Sequence, residues 1–140
     1  MRTQLLIVGG GLVGLTASLL AGQHGVPSVL VEKHETTSPQ PKARRFNTRT
    51  MEVYRSLGVA GDVEKAGADL ANYQSMRAGP TLVDSTELPG VPPGDLSTLI
   101  AASPALPCLC AQDRLEPMLR DLAAGRGQDL RFAHELVAFE

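Results

Sequence analysis

Three glycines and one glutamate carry the first chemistry legible in this chain. Gly9, Gly11 and Gly14 stand in a G-x-G-x-x-G pattern, and Glu32 follows Gly11 by 21 residues. The pattern alone is weak in a chain with 14 glycines, so its flanks decide what it means. Leu5–Val8 is a short apolar run that reads as a buried strand. Leu12–Ala21 is free of proline and rich in Leu and Ala, which predicts a helix starting directly after the glycines. After a Gly-Val-Pro turn, Ser28–Val31 predicts a second strand that delivers Glu32 at its end.

In such a strand–turn–helix unit each glycine has a physical task. Gly9 allows the tight turn, Gly11 lets a diphosphate approach the backbone, and Gly14 lets the helix sit close to the sheet. The first helical turn, which includes Leu12 and Val13, offers unpaired N–H groups and a partial positive charge suited to a diphosphate. A carboxylate at Glu32 can accept both hydroxyls of an adenosine ribose. It would repel a 2′-phosphate, which argues against NADP as the ligand of this crevice. The segment therefore predicts a dinucleotide site.

The elements that must hold this site follow from the rest of the chain. At 140 residues it can bury one moderate core. A net charge of −2 gives no electrostatic case for nucleic acid. The apolar stretches fall short of the ~20 residues that span a bilayer, and Gln23-His24 stands where a signal peptide would need small residues. A soluble cytoplasmic protein is expected. Residues 36–45, TTSPQPKARR, predict a cationic loop. Met51, Tyr54 and Leu57 give a helix over Thr48–Leu57 one apolar face, and residues 59–70 can hold a second, glycine-broken helix. The proline-rich stretch 71–110 suits short strands, notably at Thr81–Asp84 and Leu99–Ala101. Leu115, Met118, Leu119 and Leu122 form a helical stripe whose first turn is expected near Arg114, because Pro117 is tolerated only close to a helix start. Leu130–Ala133 and 136–139 read as strands, the latter as an edge awaiting a partner.

The segments GGGLVGL, VEKHE, PKARRFNTRTMEVYRSLGV and QDRLEPMLR together resemble the N-terminal part of the group A flavin-dependent aromatic monooxygenases, similar to para-hydroxybenzoate and phenol hydroxylases. The resemblance spans essentially the whole chain and is strongest to the branch that oxygenates aromatic polyketides. It implies an α/β, Rossmann-like FAD-binding fold, with residues 1–70 and 111–140 forming the FAD-binding core and 71–110 an excursion toward a mixed or antiparallel substrate domain. It also implies that the fold is completed by a C-terminal part of the enzyme beyond residue 140, on this or another polypeptide. The implied reaction uses FAD, with NADPH or NADH as reductant, to hydroxylate an aromatic small molecule through a flavin C4a-hydroperoxide. Two further readings share the βαβ unit: another FAD- or NAD-dependent oxidoreductase, and a non-catalytic FAD-binding module.

Residue by residue, the resemblance assigns Gly9, Gly11 and Gly14 to the diphosphate turn and Glu32 to the ribose, with Lys33 over the adenine edge. It places a cation of the following loop on the FAD, matched here most nearly by Lys42 and then by Arg44 or Arg45. Gln112 matches a glutamine that contacts the ribityl region, which leaves Asp113 as the expected cap of the later helix. Arg49 either holds the 42–45 loop or faces water. No residue is assigned a catalytic role. His24, His34 and His134 lack partners at suggestive spacing, and Cys108 and Cys110 have neither zinc-site nor redox spacing, so no metal site is expected.

Overall fold

The computed structural model describes residues 3–70, 75–88 and 93–138. The chain divides into two compact units, Met1–Arg44 with Ala111–Glu140, and Arg45–Cys110.

The first unit is a parallel three-stranded sheet and two helices. Strands β1 (Leu5–Val8) and β2 (Ser28–Val31) are joined by helix α1 (Leu12–Gln23) and pair in parallel, Leu5 with Ser28 through Val8 with Val31. A third strand, Asp129–Arg131, adds to the other side of β2, so the order is first, second, last. It follows a long helix, Gln112–Gly125, that packs on α1. Leu15 and Leu19 from α1, Leu30 from β2, and Leu115, Leu119 and Ala123 from the long helix are fully buried. Each buried leucine contributes about 1.5–3 kcal/mol. This core fixes the height and direction of α1 against the sheet.

Four details depart from the sequence reading. Leu5, Leu6 and Val8 are exposed, because β1 lies at the sheet edge and only Ile7 turns into the core. The long helix starts at Gln112 rather than Arg114, so Pro117 is its sixth residue. That start is held by the Gln112 N–H donating to the Ala43 carbonyl, which offsets the bond that Pro117 cannot make. Its N-cap is Ala111; Asp113 does not cap it, and the buried Asp113 Oδ1 has no hydrogen-bond partner among the described residues. Residues 136–138 join no strand, and Phe139 lies outside the described residues. Instead the chain turns after Arg131: Ala133 N–H donates to the His34 carbonyl and His134 N–H to the Glu32 carbonyl.

In the second unit, β3 (Arg45–Phe46) pairs antiparallel with a short strand at Cys108–Leu109. Helix α2 (Thr48–Ser56) is capped by the Asn47 side chain, which accepts from Thr50 N–H at 2.9 Å. It packs on α3 (Ala60–Ala66), which a short 3₁₀ turn at Ala68–Leu70 follows. Met51, Tyr54, Leu57, Val59 and Val63 are buried, with Phe46 edge-on to Tyr54 at 6.1 Å. Exposed Arg49 pairs with Glu52 one turn on, at 2.9 Å. Because α2 and α3 pack here, they fall outside the unit that holds the βαβ sheet, whereas the sequence reading grouped residues 1–70 together.

The middle stretch differs most. Its hairpin consists of β4 (Arg77–Ala78) and β5 (Thr86–Glu87), and Thr81–Asp84, expected as strand, forms the turn between them. The turn is closed by Thr81 Oγ1 donating to Asp84 Oδ2 and by Asp84 N–H donating back to Thr81 Oγ1. Leu99–Ala101 lies in helix α4 (Pro93–Ala102), not in a strand. Pro93 stands at the first helical position, where its missing N–H removes no helical bond. With α4 in place, the Cys108–Leu109 strand is β6, the Gln112–Gly125 helix α5 and the Asp129–Arg131 strand β7.

Candidate dinucleotide site

The site is built where β1 runs into α1. The chain turns at Gly9, whose φ of +107° is in the region that side chains rarely tolerate and whose N–H donates to the Val31 carbonyl at 2.8 Å. At Gly14 the reason for glycine is contact: a Cβ there would stand 1.9 Å from the Gly9 carbonyl oxygen and 3.4 Å from Ile7 Cγ2. The helix thus starts pressed against the end of its own strand.

Two carboxylates take alternate N–H groups along this turn. Gly10 N–H donates to Glu32 Oε2 at 2.7 Å, and Leu12 N–H donates to Glu116 Oε1 at 3.2 Å. The N–H groups of Gly11 and Val13 have no protein acceptor among the described residues. They stand at the start of a 12-residue helix with no acidic side chain in its first turn. Unclaimed donors and the positive end of the helix dipole make this a place for an anion.

Glu32 is held on all sides. Its backbone N–H donates to the Arg131 carbonyl at 2.9 Å, its carbonyl accepts from His134, and its Oε1 accepts from His34 N–H at 2.9 Å. The His34 ring Nδ1 lies 2.6 Å from the same oxygen. Burial pushes the carboxyl upward, but the N–H bonds from His34 and Gly10 and the His34 ring outweigh it, so the net shift is downward and the group stays ionised.

A cleft of about 520 Å³ opens between Gly10, Glu32, His34 and the loop through Ser38 and Lys42. A second, of about 470 Å³, runs along Leu12, Val13 and Gly14 at the start of α1. Gly11, Gln112 and Glu116 line both. The two clefts give an elongated ligand room on either side of the turn. The site residues read from sequence distribute unequally around them. Gly9, Gly11, Leu12, Val13 and Gly14 form the turn and its cleft, and Glu32 and Lys42 stand in the first cleft. Lys33 and Arg44 are exposed and line neither, while Arg45 opens β3 in the second unit. Gln112 lines both, but its amide is already engaged: Oε1 accepts from Ala43 N–H at 3.2 Å and Nε2 donates to Glu116 Oε1 at 2.6 Å.

Two residues of the site escaped sequence reasoning. Its spacing in the sequence gives His34 no partner, yet it reaches back two residues to Glu32. Glu116 is 1 % exposed and accepts from three N–H donors. A signal for it existed: an acidic residue on the apolar stripe of α5, beside Leu115 and one turn after Gln112.

The residues fit a dinucleotide, and comparison with known proteins names the class. The chain belongs to the FAD-binding domain family, which matches residues 2–140. It is 44 % identical over 142 residues to a putative polyketide hydroxylase of Streptomyces halstedii, covering 99 % of this chain and 25 % of that protein. It is 37 % identical to the tetracenomycin A2 monooxygenase-dioxygenase of Streptomyces glaucescens, covering 96 % of this chain and 26 % of that one. Among solved structures, the flavin-dependent monooxygenase PieE in complex with FAD and substrate superposes with a TM-score of 0.83 at 37 % identity, over 100 % of this chain and 25 % of that one. Aklavinone-11 hydroxylase with FAD and aklavinone gives 0.76 at 29 % identity, over 99 % of this chain and 27 % of that one. The chain spans about a quarter of the length of these relatives. No helix among the described residues is long and apolar enough to cross a membrane.

Proposed function

We propose that this chain is the FAD-binding part of a monooxygenase that hydroxylates an aromatic polyketide or related phenolic ring, with NADPH or NADH as reductant. The observation that carries the reading is the turn itself. Its free N–H groups at Gly11 and Val13 lie between an ionised ribose-type carboxylate and a cleft that continues along α1. In this reading the Gly11 and Val13 N–H groups bind the diphosphate and Glu32 accepts the ribose hydroxyls in the 520 Å³ cleft. Lys42 supplies a cation at the cleft wall, with Arg44 and Arg45 as the alternative loop cations, and Lys33 borders the adenine. Gln112, fixed by Ala43 and Glu116, meets the ribityl chain through the second lone pair of its Oε1 or the second N–H of its Nε2.

FAD, when bound, supplies the redox and oxygen-transfer chemistry, and this chain's residues bind and orient it. The polyketide class is supported by the relatives named above, since no residue here reads out a ring number or position. Residues 71–110 are assigned to the substrate side of the enzyme. The test is turnover of the full-length protein with NAD(P)H, an anthracycline-type aromatic polyketide and ¹⁸O₂. One labelled oxygen in each product is expected. NAD(P)H consumption without labelled product, or no consumption at all, refutes the assignment.

A further inference from the structure

We propose that Glu116 is the positioning residue of the diphosphate turn, locking the first residue of α1, the 36–40 loop and the Gln112 amide into one arrangement. The inference rests on the FAD reading of the clefts. Glu116 Oε1 accepts from Leu12 N–H at 3.2 Å and from Gln112 Nε2 at 2.6 Å, and Oε2 accepts from Ser38 N–H at 3.0 Å. Leu12 and Ser38 are 104 and 78 residues away in sequence, so one carboxylate joins three separate segments.

Two observations tie this network to the ligand rather than to the core alone. Glu116 lines both clefts although its side chain is almost fully buried. A Cβ on Gly11 would stand 3.3 Å from Glu116 Oε1, so the second motif glycine is also where the carboxylate meets the turn. By drawing Leu12 N–H to itself, Glu116 fixes the peptide planes on either side and with them the directions of the Gly11 and Val13 N–H groups. A buried carboxylate keeps its place only while its donors stay with it, and each donor loses its partner if the carboxylate withdraws.

The test uses the full-length protein and two variants that separate charge from reach. Glu116→Asp keeps the charge but is one methylene too short to span the three donors. Glu116→Gln keeps the reach but turns an NH₂ toward an N–H donor. In FAD-free Glu116→Asp, amide exchange at Leu12 and Ser38 should quicken about tenfold or more while Leu30 in the sheet stays at the parent rate, and the Kd for FAD should rise by a similar factor at both low and high salt. Glu116→Gln should show the same pattern to a smaller degree, and it carries the test if the aspartate variant does not fold. Parent-like exchange at Leu12 and Ser38 overturns the proposal. So does faster exchange with an unchanged Kd, which would make the carboxylate a purely structural tie. A parent protein that binds no FAD refutes the cofactor reading instead, and the exchange arm still decides whether Glu116 holds the turn.

Discussion

Replacing Glu32 by glutamine should weaken FAD binding sharply while leaving the sheet folded. The carboxylate is only 14 % exposed and accepts three hydrogen bonds, from Gly10 N–H, His34 N–H and the His34 ring. A glutamine of the same shape has one oxygen, so its NH₂ must face either the Gly10 or the His34 N–H. The ribose would lose at least one charge-assisted bond, worth about 1.5–3 kcal/mol, which corresponds to a 10- to 150-fold rise in Kd. The strand itself is held by bonds the substitution does not touch, Glu32 N–H to Arg131 and His134 N–H to Glu32 carbonyl. Melting should therefore change little beyond the effect of one unpaired donor, about 1–3 kcal/mol. The assay is titration of the flavin-free protein with FAD, followed by quenching of flavin fluorescence, with thermal melts of both proteins. A variant that binds FAD as the parent does would show that the carboxylate is not on the ribose. One that loses binding only because it melts below the assay temperature would place its role in folding.

Other outcomes follow from the same geometry. Gly14→Ala should displace α1 from the end of β1, since its Cβ would stand 1.9 Å from the Gly9 oxygen; FAD retention and melting temperature should both fall, by an overpacking penalty of about 1–3 kcal/mol in stability. Lys42→Gln should weaken FAD binding at low salt and much less at high salt, because an exposed cation acts through a screened field; equal Kd values for variant and parent at low salt would remove Lys42 from the site. The Glu32 carboxyl is shifted below its usual 4.5, so its bonds contribute fully above that pH and are lost as pH falls through the folded-state value. FAD affinity should therefore decline on the acid side of pH 4.5 in the parent, and a Glu32→Gln profile with the same acid limb would assign the effect to another group.

The parts of the fold that sequence makes legible are those whose signals are local. The glycine spacing, the apolar runs at Leu5–Val8 and Ser28–Val31 and the helix between them need no information from elsewhere. The same holds for the Asn47-capped helix with its Met51, Tyr54 and Leu57 stripe. What the sequence reading missed depends on long-range partners. The exposure of β1 follows from its place at the sheet edge, which no local pattern encodes. Leu99–Ala101 reads as a strand yet sits in a helix that Pro93 starts, where a run of three apolar residues is too short to set the period. Pro117 suggested a later helix start, but a bond between Gln112 and Ala43, 69 residues apart in sequence, holds the earlier one. Glu116 stands out as an acidic residue on the α5 stripe, but two of its three donors come from Leu12 and Ser38, and nothing near residue 116 announces them.

The central claim is that the turn between β1 and α1 holds FAD. The most direct measurement is the identity of the nucleotide released when the purified full-length protein is heat-denatured, read by mass spectrometry and by the visible spectrum before and after release. The account predicts FAD, at close to one per polypeptide after incubation with excess cofactor, and its loss from a Gly14→Ala variant. Release of NAD, or of no dinucleotide even after incubation with excess FAD, would contradict it.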